Sequence, residues 1–261
     1  MIYDFLARTD IGLLRKNNED SVAFDTASGV AVLADGMGGY NGGEVASDMA
    51  TAMIVTELGD WFAQAPPQIR NGDVKQALEA SVAHANHAIL ASARANFELA
   101  GMGTTLVAGV FRGQTLTLGH IGDSRCYRWR QRILTRLTRD HSLLQEQLDA
   151  GLITPAQAAV SGNRNLVTRA LGVDEAALLE VHEHLVQPGD LYLLCSDGLT
   201  DMVDDEALAA QLDSGGSAKE LAIRLVENAN ACGGRDNISV LLVNAHESVA
   251  PQNFVARLLR K

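Results

Sequence analysis

Cysteine is scarce in this chain of 261 residues. Its three cysteines, Cys126, Cys195 and Cys232, lie far apart, and no two of them form a CxxC pair. An odd number of widely spaced cysteines argues against a disulfide framework and against a cysteine-ligated zinc site. Because cysteines stay reduced in the cytoplasm, we expect a cytoplasmic protein.

Long apolar runs and excess positive charge are also missing. No stretch approaches the ~20 apolar residues that a membrane-spanning helix requires. Residues 1–10 (MIYDFLARTD) lack the basic and then apolar pattern of a signal peptide. The formal net charge of -11 argues against non-specific binding to nucleic acid or to an anionic membrane. The sequence therefore predicts no nucleic-acid partner and no membrane insertion.

Several common catalytic motifs are absent as well. The chain has no GxSxG nucleophile elbow, no GxxxxGK[ST] phosphate loop and no HExxH zinc motif. A glycine-rich segment, GMGGYN at 36–41, follows an apolar run. Asn41 stands where a dinucleotide-binding loop has its last glycine, so a dinucleotide site is a poor interpretation.

Strand-like and helix-like segments form separate groups along the chain. Apolar patterns predict an N-terminal hairpin whose second strand covers residues 30–34, and an antiparallel meander over 103–138. Helical spacing predicts long helices over 44–62 and 74–97. Strict βαβ alternation is missing and no linker interrupts the pattern. We therefore predict one α+β domain over residues 1–261, with mainly antiparallel sheets.

Four aspartates lie beside strand ends or strand turns of this predicted fold: Asp35, Asp123, Asp197 and Asp236. Carboxylates that converge on one edge of a sheet repel each other strongly unless cations lie between them. Oxygen ligands without cysteine or an obvious histidine cluster point to Mg²⁺ or Mn²⁺. A close pair of such ions can activate water for in-line displacement at phosphorus.

Each of these residues also has a purely structural interpretation. An isolated Asp-Gly pair is most often a turn, Asp123 could simply serve a hairpin, and Asp236 could open a strand. Arg15 would be an ordinary solvated charge, and we predict that His141 serves local structure rather than a metal. Composition and spacing alone therefore reach only a possible metal-dependent hydrolase.

Eight short motifs follow one another in a characteristic order. They are residues 15–20 (RKNNED), 35–39 (DGMGG), 103–105 (GTT), 122–125 (GDSR), 137–142 (LTRDHS), 168–172 (TRALG), 196–199 (SDGL) and 235–238 (RDNI). Over residues 9–243 the chain resembles the bacterial PP2C-type, metal-dependent Ser/Thr protein phosphatases. One of these motifs alone is weak, whereas eight in the family order are very specific.

The resemblance implies a four-layer αββα sandwich, in which two mainly antiparallel sheets are flanked by helices. It implies two core ions, Mn²⁺ or Mg²⁺, at one end of the sandwich. Asp35 would bridge the two ions, and the Gly36 carbonyl would bind the second. Asp197 and Asp236 would complete the first.

Four further positions acquire roles from the same resemblance. Glu19 and Asp20 would hold metal-bound waters, and Asp123 with Asp197 would bind a weaker third ion. Arg15 would bind the substrate phosphate, because its planar fork of donors suits a dianion.

The implied activity is hydrolysis of phosphoserine and phosphothreonine in proteins by direct attack of a metal-bridging hydroxide, with no phosphoenzyme. The implied partners are phosphorylated proteins and a cognate Ser/Thr kinase, and a monomer is the default expectation. Residues 144–164 would form a mobile flap beside the site, and residues 247–261 a short tail.

Two positions depart from the family pattern. Met37 stands where animal members often carry a histidine proposed as the acid for the leaving oxygen, and Tyr40 where bacterial members commonly have a histidine. Two other functions stay open: a catalytically weak scaffold that binds phosphoproteins, and a metal-dependent phosphodiesterase or nuclease. The intact acidic positions disfavour the scaffold, and the negative net charge disfavours the nuclease.

Overall fold

Two antiparallel β-sheets lie face to face at the centre of the fold. The computed structural model describes residues 1–39, 42–66, 68–159 and 166–248. Its strands are β1 (Ile2–Asp10), β2 (Asp20–Asp25), β3 (Val30–Met37), β4 (Gly103–Thr104), β5 (Leu106–Arg112), β6 (Thr115–Ile121), β7 (Arg125–Arg130), β8 (Ile133–Arg136), β9 (Glu180–Leu185), β10 (Leu191–Cys195) and β11 (Ile238–His246).

Five strands form one sheet in the order β1-β11-β10-β7-β8. The other sheet has six strands: five in the order β2-β3-β5-β6-β9, and the short β4, which pairs with β3. The pairing sets the position of the functional residues. Asp20 on β2 lies directly opposite Asp35 on β3, while Cys195, the last residue of β10, lies opposite Val240 of β11. The ends of β3, β10 and the start of β11 therefore share one end of the sandwich.

Helices cover the outer face of each sheet. The helices are α1 (Gly42–Gln64), α2 (Asn71–Ala95), a 3-10 turn (Phe97–Leu99), α3 (Leu143–Asp149), α4 (Pro155–Ala159), α5 (Asp197–Thr200), α6 (Asp205–Asp213) and α7 (Ala218–Ala231). Local sequence fixes several of their ends. Ser217 and Glu220 form a reciprocal capping box at the start of α7, and the Ser142 hydroxyl accepts from the Gln145 N–H at the start of α3.

Three apolar layers hold the sandwich together. Side chains of α1 and α2, such as Ile54 and Leu78, pack on the six-stranded sheet. Side chains of α6 and α7, such as Leu208 and Leu225, pack on the five-stranded sheet. Between the sheets lies a third cluster that includes Tyr192. The four-layer αββα arrangement implied by the sequence resemblance is confirmed.

The predicted meander over 103–138 is only partly correct. Its strands are antiparallel, but β5 and β6 belong to one sheet, whereas β7 and β8 belong to the other. The chain crosses between the sheets at the Gly122–Asp123 turn, and buried side chains of β6 and β7, such as Leu118 and Cys126, meet in the layer between the sheets. Within the described ranges, no helix combines the length and hydropathy that crossing a membrane requires.

Candidate metal centre

Acidic side chains from both sheets meet at one end of the sandwich. Asp35 lies near the end of β3, Asp197 opens α5 one residue beyond Ser196, which follows β10, and Asp236 is separated from β11 by Asn237. Asp123 occupies the turn that crosses from β6 to β7. All four line one cavity of about 220 Å³. The same cavity is also lined by Arg15, Glu19, Gly36, Met37, Gly38, Thr105 and Val167.

The backbone of Asp35 is fixed by the neighbouring threonines. Strand pairing continues past Asp35 as far as Met37, three residues beyond the predicted apolar strand. The Asp35 N–H donates to Thr105 Oγ1 over 3.1 Å, and the Asp35 carbonyl accepts from the Thr105 N–H over 2.9 Å. Thr105 thus positions the central acid. The only sign of this role in the sequence was its place in the Gly-Thr-Thr motif.

Two glycines allow the acidic segments to approach each other. A Cβ on Gly36 would lie 2.1 Å from the Gly43 carbonyl oxygen in the first turn of α1. A Cβ on Gly198 would lie 2.0 Å from the Asn237 carbonyl oxygen. Because both close contacts are with backbone atoms, which have little freedom to move, a larger residue at either position would push the segments apart.

Two neighbouring acids at the start of β2, Glu19 and Asp20, have different positions relative to the cavity. Glu19 lines it, whereas Asp20 is buried and its Oδ2 accepts from Ser196 Oγ over 2.7 Å. The Oδ1 atom of Asp20 is also buried and has no hydrogen-bond partner among the described residues. An unsatisfied buried carboxylate oxygen is costly. The oxygen-rich donor set with this orphaned atom fits hard divalent cations and the water molecules they carry.

Burial and mutual repulsion oppose ionisation of these acids. The pKa of Asp35 is well above its usual range, mainly because the group is buried and to a smaller extent because Asp20 and Asp197 repel its charge. The pKa of Asp197 is also well above its usual range, mainly because of burial and then because of repulsion from Asp123. Burial raises the pKa of both Asp20 and Asp123 to about 7. Bound cations would reverse this tendency, because they stabilise the ionised carboxylates.

Arg15 lies at the mouth of the cavity. Its guanidinium is half-exposed and donates to Asp236 Oδ2 over 2.5 Å. Buried Asn237 holds the loop that carries it: Nδ2 donates to the carbonyls of Ile11 and Asn17 over 2.9 Å and 3.0 Å. The Oδ1 of Asn237 accepts from the Glu19 N–H over 2.8 Å. Sequence reasoning placed Asn237 in a motif but did not identify this clamp.

Asp201 is an acid that sequence reasoning missed. It lies with Asp123 and Asp197 around an adjoining cavity of about 490 Å³, whose wall also includes Leu144 and Ala158 from α3 and α4. Asp201 follows Asp197 by four residues, and residues spaced by four share one face of a helix. That spacing, within the run Asp-Gly-Leu-Thr-Asp, was the available signal.

All eight sequence-predicted site residues therefore lie at one end of the sandwich. Seven of them line the cavity, and Asp20 lies behind it. Met37 also lines the cavity, and its thioether has no proton to give. Tyr40 lies outside the described residues, as do residues 160–164 of the predicted flap and residues 249–261 of the predicted tail.

The chain is similar to bacterial Ser/Thr phosphatases along most of its length. The serine/threonine protein phosphatase PstP of Mycobacterium tuberculosis (strain ATCC 25618 / H37Rv) is 42% identical over 245 residues, which are 94% of this chain and 45% of that protein. The chain therefore spans about half the length of that relative. The serine/threonine phosphatase stp of Listeria monocytogenes (serovar 1/2a) is 36% identical over 239 residues, which are 90% of this chain and 93% of that protein.

Solved structures agree with the sequence comparison. The crystal structure of the PstP catalytic domain in complex with two manganese ions superposes with a TM-score of 0.82 at 39% identity. The match covers 94% of this chain and 99% of that one. A sequence model described as protein phosphatase 2C matches residues 15–239. With the same sandwich, the same order of motifs and this match, the chain belongs to the protein phosphatase 2C family.

Proposed function

We propose that this chain hydrolyses phosphoserine and phosphothreonine in proteins with the help of divalent cations. The observation that carries the proposal is the convergence of Asp35, Asp197 and Asp236 on one cavity, with the Arg15 guanidinium at its mouth. Membership of the phosphatase family supports it. The scaffold alternative has no comparable support, because each acidic position of the motifs is intact and lies at the same end of the fold.

The acidic residues would hold two core ions, Mn²⁺ or Mg²⁺. Asp35 would contact both ions, with the Gly36 carbonyl on one and Asp197 and Asp236 on the other. Glu19 and Asp20 would bind water in the coordination shells, which suits the unpartnered Oδ1 of Asp20. When bound, such an ion pair supplies an activated water and neutralises charge at the phosphoryl group.

Binding of the substrate phosphate and protonation of the leaving oxygen do not depend on the cations alone. The Arg15 guanidinium presents N–H donors to two oxygens of a phosphate, an arrangement that a lysine cannot copy. Asp236 and Asn237 orient Arg15, directly and through the loop of residues 11–17. Met37 cannot protonate the leaving oxygen, so that proton must come from another source.

Asp123, Asp197 and Asp201 would hold a weaker third cation. They surround the adjoining cavity, and Asp123 and Asp197 line both cavities. The segments α3 and α4 form one wall of this second cavity. We propose that residues 144–164 act there as a flap that contacts the substrate protein.

The biological setting is also a proposal. A protein phosphatase of this type would oppose a cognate Ser/Thr kinase and act on phosphorylated proteins, and we propose that the chain does so as a cytoplasmic monomer. The cysteines of the described residues are free, and Cys232 is exposed. Free exposed thiols are expected in a reducing compartment.

Phosphate release from a phosphothreonine peptide tests the activity directly. We expect no release in EDTA, and release when Mn²⁺ or Mg²⁺ is added back, because water without a bound cation stays protonated at neutral pH and is a poor nucleophile. A phosphodiester such as bis-p-nitrophenyl phosphate should turn over much more slowly. Faster cleavage of the diester would indicate a phosphodiesterase. Tight binding of the peptide by folded protein with every metal but no turnover would support the scaffold.

Replacing Arg15 by alanine should raise the KM for phosphopeptide with a smaller effect on kcat, because the interaction forms when the phosphate binds. A hydrogen bond to a charged group contributes about 1.5–3 kcal/mol, so we expect a rise of about ten- to a hundredfold. Arg15→Lys should recover only part of the loss. The neighbouring exposed Lys16→Ala is the matched control. Equal effects of Arg15→Ala and Lys16→Ala would assign Arg15 a general electrostatic role instead.

A further inference from the structure

A second polar cluster lies behind the Asp123 turn. It contains His120 on β6, His141 between β8 and α3, and Glu180, the first residue of β9. The two imidazole rings are stacked, with centroids 4.8 Å apart and planes 13° from parallel. Both histidines are buried, with only 1% and 6% of their surfaces exposed. The hydrogen-bond partners of the two rings indicate which ring nitrogens donate and which accept.

The hydrogen bonds determine which His141 nitrogen carries the proton. The Gly122 N–H donates to His141 Nδ1 over 3.1 Å, so Nδ1 is the acceptor and Nε2 bears the proton. Nε2 lies 3.2 Å from Glu180 Oε2, to which it donates. Burial lowers the pKa of His141, in agreement with a neutral ring.

The same pair of residues is also joined through the backbone. The His141 N–H donates to the Gly122 carbonyl over 2.9 Å. Both polar backbone groups of Gly122 are therefore held by His141, one by its ring and one by its main chain. Gly122 directly precedes Asp123, whose side chain lines both cavities. The backbone on the N-terminal side of Asp123 is therefore held by His141.

His141 also binds the segment that follows the proposed flap. Its carbonyl accepts from the Thr168 N–H over 2.8 Å. The next residue, Ser142, forms an isolated bridge with Val167, and Val167 lines the first cavity. One residue thus connects the Asp123 turn, the start of α3 and the segment that leaves the flap.

A metal bound by the cluster itself is a weaker interpretation. Ligand atoms of His120, His141 and Glu180 do lie within 4.8 Å of one another. The proton on His141 Nε2 blocks that nitrogen, however, and lone pairs in two nearly parallel rings do not point at a common centre. His120 Nε2 contacts the Arg139 carbonyl over 2.9 Å, while His120 Nδ1 has no partner in the described part of the chain.

We propose that His141 is a positioning residue for Asp123: its Nδ1 holds the N–H of Gly122, the residue before Asp123, and Glu180 orients the ring through Nε2. The inference rests on the proposed role of Asp123 at the third cation. Hydrogen-bonded supports of metal ligands change metal affinity by about 10–100-fold when they are removed. Loss of the Nδ1 acceptor should therefore weaken the third cation and leave the two core ions in place.

Two substitutions test the roles of the two ring nitrogens of His141 one at a time. In His141→Asn the side-chain oxygen takes the place of Nδ1 and keeps an acceptor for the Gly122 N–H. In His141→Gln the side-chain amide takes the place of Nε2, so it keeps the donor to Glu180 but loses the acceptor. Asp123→Ala is the reference for loss of the third site, and His120→Gln removes the free Nδ1 while keeping the donor to the Arg139 carbonyl.

Mn²⁺ binding should be measured by titration calorimetry and by EPR counting of bound ions, alongside the Mn²⁺ concentration for half-maximal activity. His141→Gln should lose the weak site as Asp123→Ala does, raise the half-activation concentration by about ten- to a hundredfold, and retain the tight ions. His141→Asn and His120→Gln should stay within about threefold of wild type. Melting curves in EDTA should show that the two His141 variants are equally folded.

The outcomes distinguish this inference from the proposed function. Equal behaviour of His141→Asn and His141→Gln would overturn the positioning role of Nδ1. Loss of the weak site in His120→Gln but not in Asp123→Ala would place the cation in the histidine cluster and overturn the inference. If Asp123→Ala left Mn²⁺ binding unchanged, the third-cation assignment would fail, whereas metal-dependent phosphatase activity by the core acids would stand.

Discussion

Asp35→Asn should abolish nearly all metal-dependent hydrolysis of a phosphothreonine peptide. Asp35 is the one acid proposed to contact both core ions, and an amide oxygen is a neutral, weaker ligand than a carboxylate. A catalytic metal contributes several kcal/mol of charge stabilisation in the transition state, which corresponds to about a thousandfold or more in kcat/KM. The measurement is kcat/KM over a range of Mn²⁺ concentrations.

The matched control is Asp60→Asn, which makes the same chemical change at an exposed position in the second half of α1. It should keep kcat/KM within about twofold of wild type, as surface substitutions usually have small effects. Circular dichroism should show both variants folded. Near-normal turnover of Asp35→Asn at low Mn²⁺ would contradict the bridging role and leave Asp197 and Asp236 as the principal ligands.

Mn²⁺ should stabilise the protein strongly at pH 7.5. A ligand at 100 times its Kd adds about 2.7 kcal/mol per site, and 1 kcal/mol changes the melting temperature of a domain near this size by about 2–4 °C. We therefore expect the melting temperature to rise by about 5–10 °C or more over its value in EDTA. Differential scanning calorimetry checks this, and an unchanged melting temperature would contradict a cation site among these acids.

The effect should depend on pH in a defined direction. Burial raises the folded-state pKa of Asp20 and Asp123 to about 7, above the ordinary value near 4 in an unfolded chain. The stability from these groups is thus fully present below about pH 4 and is lost as the pH rises through about 7. Without metal, the protein should lose stability over this window, and Mn²⁺ should stabilise it more at pH 7.5 than at pH 5.5.

Asp35→Asn provides the matched comparison for this stability effect. In EDTA at pH 7.5 it should melt above wild type, because the substitution removes a charge whose ionisation burial and Asp20 oppose. Asp60→Asn should melt with wild type. A metal-free Asp35→Asn protein less stable than wild type would mean that the carboxylates are not in mutual repulsion.

The sequence by itself determined the family, the sandwich and the identity of the central acids. Short ordered motifs such as Asp35-Gly36 and Arg235-Asp236-Asn237 are local features, because a glycine or an acid beside a strand is visible without the rest of the fold. Periodicity placed the helices to within a few residues: α1 begins two residues before its predicted start, and α2 begins three residues before. Apolar spacing alone is sufficient for such elements.

Only the tertiary structure decided which strands share a sheet and what surrounds each acid. Strands β6 and β7 would show the same apolar alternation whether they paired with each other or belonged to opposite sheets. The sequence therefore could not show that Asp123 lies where the chain crosses between the sheets. In the sequence, nothing distinguishes Asp201 from other acids near predicted helices, and only the folded chain places it beside the cavity that Asp123 and Asp197 line. The Gly122 hydrogen bond to His141, 19 residues away, likewise exists only once distant strands are in register, because no local pattern encodes a contact between them.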